Sequence, residues 1–374
     1  MRKIFILLFL LPSTILFGQD TLSVEKDKSI DLNSSSSKKR KVRAEKTVSI
    51  LEEIDVNSSF SVVIEDARII TIESNQNRSR RSSNQHEENQ INNAVELMRE
   101  MDDNSFEYNY FKYISGNYDV SLFPFLKKAN RLKPQSSDVQ TQMAAYYLIK
   151  ENDEQADIFI NSLFENHTIS TALIDYGQDL LASIPKNGTL ITHGVEDTYA
   201  VVFLQLSMGL RSDVEVVSLE LLQSEMYRDH LKVKGYILPL SDFVDVNYYA
   251  EFCSLNEEKN ISTSLTVPRE YLQTLPQKQF ITGLVMRYSS KPVDNVNLNI
   301  NLWKYELRYL ILENSNDVKS KELSSNYLPM LFQLRHVFNL MEEEQEVVEI
   351  DHLLDVIGLF SGKEEKVQSL KAKY

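Results

Sequence analysis

NGTLITHGVEDTYAVVFLQLSMGLRSDVEVVSLELL, residues 187–222, decides the fold. A short apolar run, Thr189 to Thr192, meets a turn at His193-Gly194; an amphipathic stretch follows and gives way to a second apolar run, Val214 to Leu219. Apolar runs this short, bounded by turn residues, predict buried strands, and the longer stretch between them predicts a helix. Together they make one βαβ unit, whose crossover places the two strands parallel. Downstream, Tyr236 to Leu238 reads as a short strand, Ile261 to Val267 as a third main strand ending at Pro268, and Phe280 to Tyr288 as the strand closing the sheet. Parallel strands joined through helices need cover on both faces.

Upstream, Pro185-Lys186-Asn187-Gly188 is a turn that delivers a helix, Ser170 to Ser183, to the first strand. Helical spacing begins at Ala94, Leu97, Met98 and Met101 and continues through an aromatic cluster from Phe106 to Tyr113. Ala129 with Pro134, then Ala144, Tyr147 and Ala156, resemble the small–aromatic–small pattern of tetratricopeptide repeats, where small residues let paired helices approach and the aromatic fills the groove. The pattern covers about one and a half repeats, and at least about three are usually needed for independent stability. This segment therefore has to pack on the sheet. From Ile300 the chain turns helical again, through Leu328 to Met341 and Val347 to Phe360.

The ends are different in kind. Arg2 and Lys3 precede the apolar run Ile4 to Leu11, and Gly18-Gln19 closes it, the layout of a secretory signal peptide. Removing those two cations takes the formal charge from −14 to −16. An acidic chain of this kind argues against nucleic acid or anionic lipid as the main partner. The single cysteine, Cys253, cannot form an internal bridge, so an exported chain would rely on its core. The expected divisions are a signal peptide at 1–19, a linker at 20–93 with a small β-hairpin at 47–74, a tetratricopeptide-like helical segment at 94–184, a Rossmann-like α/β unit at 185–290 and a helical tail at 291–374. The fold class expected is α/β: a Rossmann-like, mostly parallel sheet flanked by helices, with the short helical segment before it and the helical tail after it. No span is expected in the mature chain.

The segments Leu190 to Tyr199, Leu204-Gln205, Gly209 to Val214, Val216 to Leu219 and Gln279 to Tyr288 resemble the soluble C-terminal domain of Bacteroidetes membrane proteins of the protein-O-mannosyltransferase-like kind. The resemblance covers roughly Pro185 to Tyr288. It implies a domain that accompanies a membrane glycosyltransferase-like half, and a bacterial envelope setting.

Chemistry-bearing residues are few. His193, Glu196, Asp197 and Thr198 follow the carboxyl end of the first strand, where open α/β sheets bind ligands. The same carboxylates equally suit a helix N-terminus, where they cap free N–H groups and complement the dipole. One glycine beside two acids is a poor phosphate cradle. Arg211 and Asp213, between helix and strand, read as a pair with each other or with turn backbone, or as substrate contacts. The six histidines lack metal-binding spacing, and neither a nucleophile elbow nor a Cys–His signature occurs, so no catalytic residue, metal or cofactor is expected. Tyr110, Tyr113, Tyr146 and Tyr147 are the aromatics of an expected partner groove. The expectation is an exported scaffold, periplasmic or else extracellular or outer-membrane-associated, that binds an envelope protein. Its rival is a glycan- or sugar-phosphate-handling domain with the ligand at the Thr192 to Thr198 turn.

Overall fold

The computed structural model describes residues 61–69, 71, 85–275, 277–313 and 318–373, without the side chains of Gln85, Val195 and Glu196. The expected signal peptide and most of the expected linker lie outside them. Within the stretch expected to form a hairpin, residues 61–69 are helical (α1). Helix α2 (Gln85–Asp102) starts inside the expected linker. Ile91, Ala94, Val95 and Met98 recur every three or four positions and pack with Ala67 and Phe111, which holds this polar stretch helical.

Next come α3 (Phe106–Ile114), α4 (Phe123–Leu132), α5 (Ser137–Ile149), α6 (Asp153–Glu165) and α7 (Thr171–Ala182). Their starts are written locally: Ser105, Asn152 and Ser170 each accept a hydrogen bond from a backbone N–H of the first turn, and Pro124 sits in the first turn of α4. Ala129, Ala144 and Ala156 are fully buried, the close-approach positions expected of them.

The sheet follows: β1 (Thr189–Thr192), α8 (Gly194–Met208), β2 (Glu215–Ser218), α9 (Glu225–Val233), α10 (Val246–Leu255), β3 (Ile261–Ser264), α11 (Arg269–Leu272), β4 (Gln279–Thr282) and β5 (Val285–Tyr288). All four β1 residues are buried. Side chains alternate between faces along a strand. Leu190 accordingly joins the core built with α7, α8 and the tail, while Ile191 joins a second core around Tyr249, Phe252 and Tyr271.

The expected fold class is overturned. The described residues are 67% helical around one small mixed sheet, not a Rossmann-like parallel sheet flanked by helices. Strand order is β2-β1-β3-β5-β4, with β1 parallel to β2 and β3, but β5 antiparallel to both β3 and β4. The reason lies in the run QFITGLVMRY, which reads as one closing strand. Gly283, at φ 56°, turns the chain within two residues, and Thr282 then pairs with Val285. A glycine at the first position of a two-residue connection is what a primed hairpin turn requires. Tyr236 to Leu238 is not a strand; the Tyr236 hydroxyl instead meets Thr189 Oγ1 at 2.7 Å.

The hairpin tip is clasped from two sides. Gly283 N–H donates to Asn299 Oδ1 (2.8 Å), on α12 (Asn295–Asn301), and Leu284 N–H donates to Ser183 Oγ (3.0 Å), at the end of α7. A Cβ on Gly283 would run into Ser183 Oγ. Gly283→Ala therefore combines an unfavourable backbone angle with overpacking, and should cost about 2–3 kcal/mol in chemical denaturation. An unchanged midpoint would mean that the tip is not held this way.

The tail runs through α13 (Val318–Ser324), α14 (Leu328–Met341), α15 (Glu344–Phe360) and α16 (Glu364–Lys373). One core takes in Ala144, Leu180, Leu190, Val285, Leu331, Leu354 and Val367. Helical segment, sheet and tail are thus joined by a shared interior. Among the described residues no helix is long and apolar enough to cross a membrane.

Candidate functional site

Two clusters sit at opposite ends of β1. At its carboxyl end, Asp197 lies in the first turn of α8 and is 4% exposed. Its carboxylate accepts from the backbone N–H of His193 (3.1 and 3.2 Å) and from Thr266 Oγ1 (2.5 Å), in the loop after β3. His193 is the residue flanking α8, so Asp197, one position beyond the acid of a capping box, reaches back to the backbone N–H at the helix start. Hydroxyls complete the arrangement: Thr192 and Thr198 meet at 2.7 Å, and Ser264 and Thr266 at 2.6 Å.

Burial pushes the Asp197 carboxyl up to about 7; the bonds from Thr266 and His193 oppose this, and the charge of Glu220 adds to it. A carboxyl poised near neutrality can carry a proton, yet its oxygens are already taken by the protein's own N–H and hydroxyl. The geometry is that of a buried helix cap. The side chain of Glu196 lies outside the described residues.

Arg211 and Asp213 stand at the other end. Arg211 donates to the carbonyls of Leu181 (2.7 Å), Ile184 (3.0 Å) and Pro185 (3.2 Å), and its Nε pairs with Asp213 (2.8 Å). Asp213 also accepts from Asn187 N–H (2.8 Å). These bonds from Arg211 and Asn187 hold its carboxyl well below the usual carboxylate range. The pair ties the α7–β1 turn to the α8–β2 turn. His193, Asp197 and Thr198 therefore come together, whereas Arg211 and Asp213 sit a strand's length away and share no site with them.

Of the tyrosines expected to line a partner groove, Tyr110, Tyr146 and Tyr147 pack against other rings. Tyr113 is fully buried. Tyr146 stacks on Phe123 (3.7 Å between centroids), Tyr147 on Phe159 (5.6 Å) and Tyr110 on Phe106 (5.7 Å). Cys253 is buried, and burial pushes its thiol up to about 12, far from the reactive range. Among the described residues no cluster of three or more His, Cys, Asp or Glu is placed to hold a metal.

Sequence reasoning missed Asp179, the acid with the most distant partners. It lies on α7, 1% exposed, and accepts from Arg308 N–H (2.8 Å), Tyr309 N–H (2.9 Å) and the Tyr327 hydroxyl (2.7 Å). The available signal was an aspartate three residues after Tyr176 and directly before Leu180-Leu181, in a mainly apolar helix. Thr266 and Glu220 carried no comparable signal, because each is far in sequence from the turn it serves.

No curated protein matches the chain. A family model, described as TMEM260-associated domain 2, matches residues 173–352, from the first turn of α7 into α15. This match fits a TMEM260-like, protein-O-mannosyltransferase-like family, and extends on both sides the Pro185 to Tyr288 stretch that carries the resemblance. The chain contains a TMEM260-associated domain, formed by the sheet with the helices that enter and leave it.

Proposed function

We propose that this protein is an exported accessory component of a bacterial envelope, acting by contact with a membrane protein related to glycosyltransferases. One observation carries the reading. At both ends of β1 the side chains able to do chemistry are held by the protein's own backbone: Asp197 by His193 N–H, Arg211 by three carbonyls. Groups so engaged fix turns and are not offered to a substrate. The TMEM260-associated domain supports a role beside a membrane enzyme. The succession of short helices α3 to α6, over the stretch whose sequence resembles tetratricopeptide repeats, supports a scaffold role.

The test is crosslinking in intact cells, followed by purification through the C-terminus and identification of what comes with it. A membrane protein of the glycosyltransferase-like kind should be enriched, and N-terminal sequencing of the periplasmic fraction should begin beside Gly18 or Gln19. Recovery of the chain alone, or of its uncleaved form in the cytoplasm, would overturn the proposal.

The family match also favours a second reading, a glycan-handling domain with its ligand at the Thr192 to Thr198 turn. If that reading holds, saccharides should raise the melting temperature of the wild type but not of a His193→Ala, Asp197→Ala variant. A wild type unmoved by any saccharide would end it.

A further inference from the structure

A cleft of about 470 Å³ lies between the end of α7, α12 and the β4–β5 hairpin, beside the α8–β2 turn. Its size falls within the range of small-molecule sites. Ile184, Pro185, Leu298 and Leu302 give it apolar walls; Lys186, Arg211 and Arg287 line it with Asp213 and Glu306. Three cations against two carboxylates make it locally positive on a chain of formal charge −14.

The cations are not equivalent. Arg211 directs Nε and Nη2 and one N–H of Nη1 at three carbonyls and Asp213, so it contributes mainly field. Arg287 is different. It stands on β5, half-buried, and its hydrogen bond among the described residues goes to a neutral acceptor, Asn260 Oδ1, at 3.2 Å. Burial lowers its hold on the proton, with no opposing carboxylate among the described residues. A guanidinium carries five N–H donors in a planar fork, and when withdrawn from water it is ordinarily matched by a carboxylate or phosphate. Among the described residues no carboxylate is bonded to Arg287, so a bound oxyanion would supply the match.

We propose that this cleft binds a small amphipathic oxyanion, its phosphate or carboxylate on Arg287 and its apolar body between Leu298 and Leu302, with Lys186 at the mouth. This goes beyond the accessory role and does not rest on it.

Phenyl phosphate, benzoate and phenol titrated into the full-length mature chain, followed by calorimetry, provide the test. Phenyl phosphate or benzoate should bind, the tighter of the two naming the head group, and phenol should bind at least about tenfold more weakly. Arg287→Met should weaken binding by tenfold or more without lowering the melting temperature, because it removes a half-buried charge that has no anionic partner. Lys186→Ala, at an exposed position, should weaken binding a few-fold and become less sensitive to salt. If Arg287→Met does not fold, Lys186→Ala and the salt dependence still decide. The proposal is overturned if neither anion binds, if phenol binds equally well, or if both variants retain wild-type affinity.

Discussion

Replacing Asp179 by alanine should destabilise the protein by about 3–5 kcal/mol, the largest single-residue effect expected. The carboxylate serves three donors at once: the backbone N–H groups of Arg308 and Tyr309 and the hydroxyl of Tyr327. Removing it strands them in the interior, at about 1–3 kcal/mol for each donor left unsatisfied. Tyr309 holds a left-handed backbone angle, φ 54°, directly before the 3₁₀ turn Leu310–Glu313. The acid therefore secures a turn that few residue types adopt unaided. Because Asp179 is on α7 and its partners open the tail, local opening of the tail should appear before global unfolding. Hydrogen exchange at residues 307–313 should accelerate in Asp179→Ala while exchange in β1 changes much less. Equal acceleration in both places would remove this tail-anchoring role.

The second large effect is a pH dependence set by Asp197. Burial raises its carboxyl from an ordinary 3.8 to about 7 in the folded chain. Between those values the folded state holds a proton that the unfolded chain has released. Stability should then fall as pH rises from about 4 to about 7, by at most on the order of 4 kcal/mol in total. Below that window the contribution is fully present; above it the loss is complete. Asp197→Asn keeps an acceptor for the His193 N–H and a group that can bond Thr266, but has no proton to lose. The wild type and this variant should thus diverge progressively across the window, with the variant the more stable at pH 8. Burial also raises the Asp179 carboxyl, with the same sign, so the difference between the two proteins is the informative quantity. Denaturation midpoints that run parallel from pH 4 to pH 8 would show that Asp197 is not the group responsible.

Much of the local structure was legible because its causes are local. β1 occupies Thr189 to Thr192, α8 begins at Gly194 and β2 lies within Val214 to Leu219, each as the apolar period and turn residues indicate. Burial of Ala129, Ala144 and Ala156 was legible in the same way, since a small residue at helical spacing has few other uses. The two readings left open for the acids after β1 were a cap and a ligand; Asp197 in fact bonds the backbone N–H of His193.

The functional groupings had no such local cause, and the sheet's direction turned on one glycine within an otherwise strand-like run. Periodicity is identical for a parallel and an antiparallel strand, so it could not show that QFITGLVMRY doubles back at Gly283. Arg211 and Asp197 are 14 positions apart, yet an intervening helix returns the chain to the start of the sheet and leaves them at opposite ends. Asp179 meets Arg308 and Tyr309 across 129 and 130 residues, and Arg287 meets Asn260 across 27. The sequence by itself determined β1, α8 and β2, because their apolar period and turn residues act within a turn or two of chain, whereas the helix at 61–69 and the strand expected at Tyr236 to Leu238 were not read correctly from it. Which acid anchors the tail and which cation meets a neutral acceptor and no carboxylate among the described residues were decided only by tertiary packing, where burial and distant hydrogen-bond partners outweigh local preference.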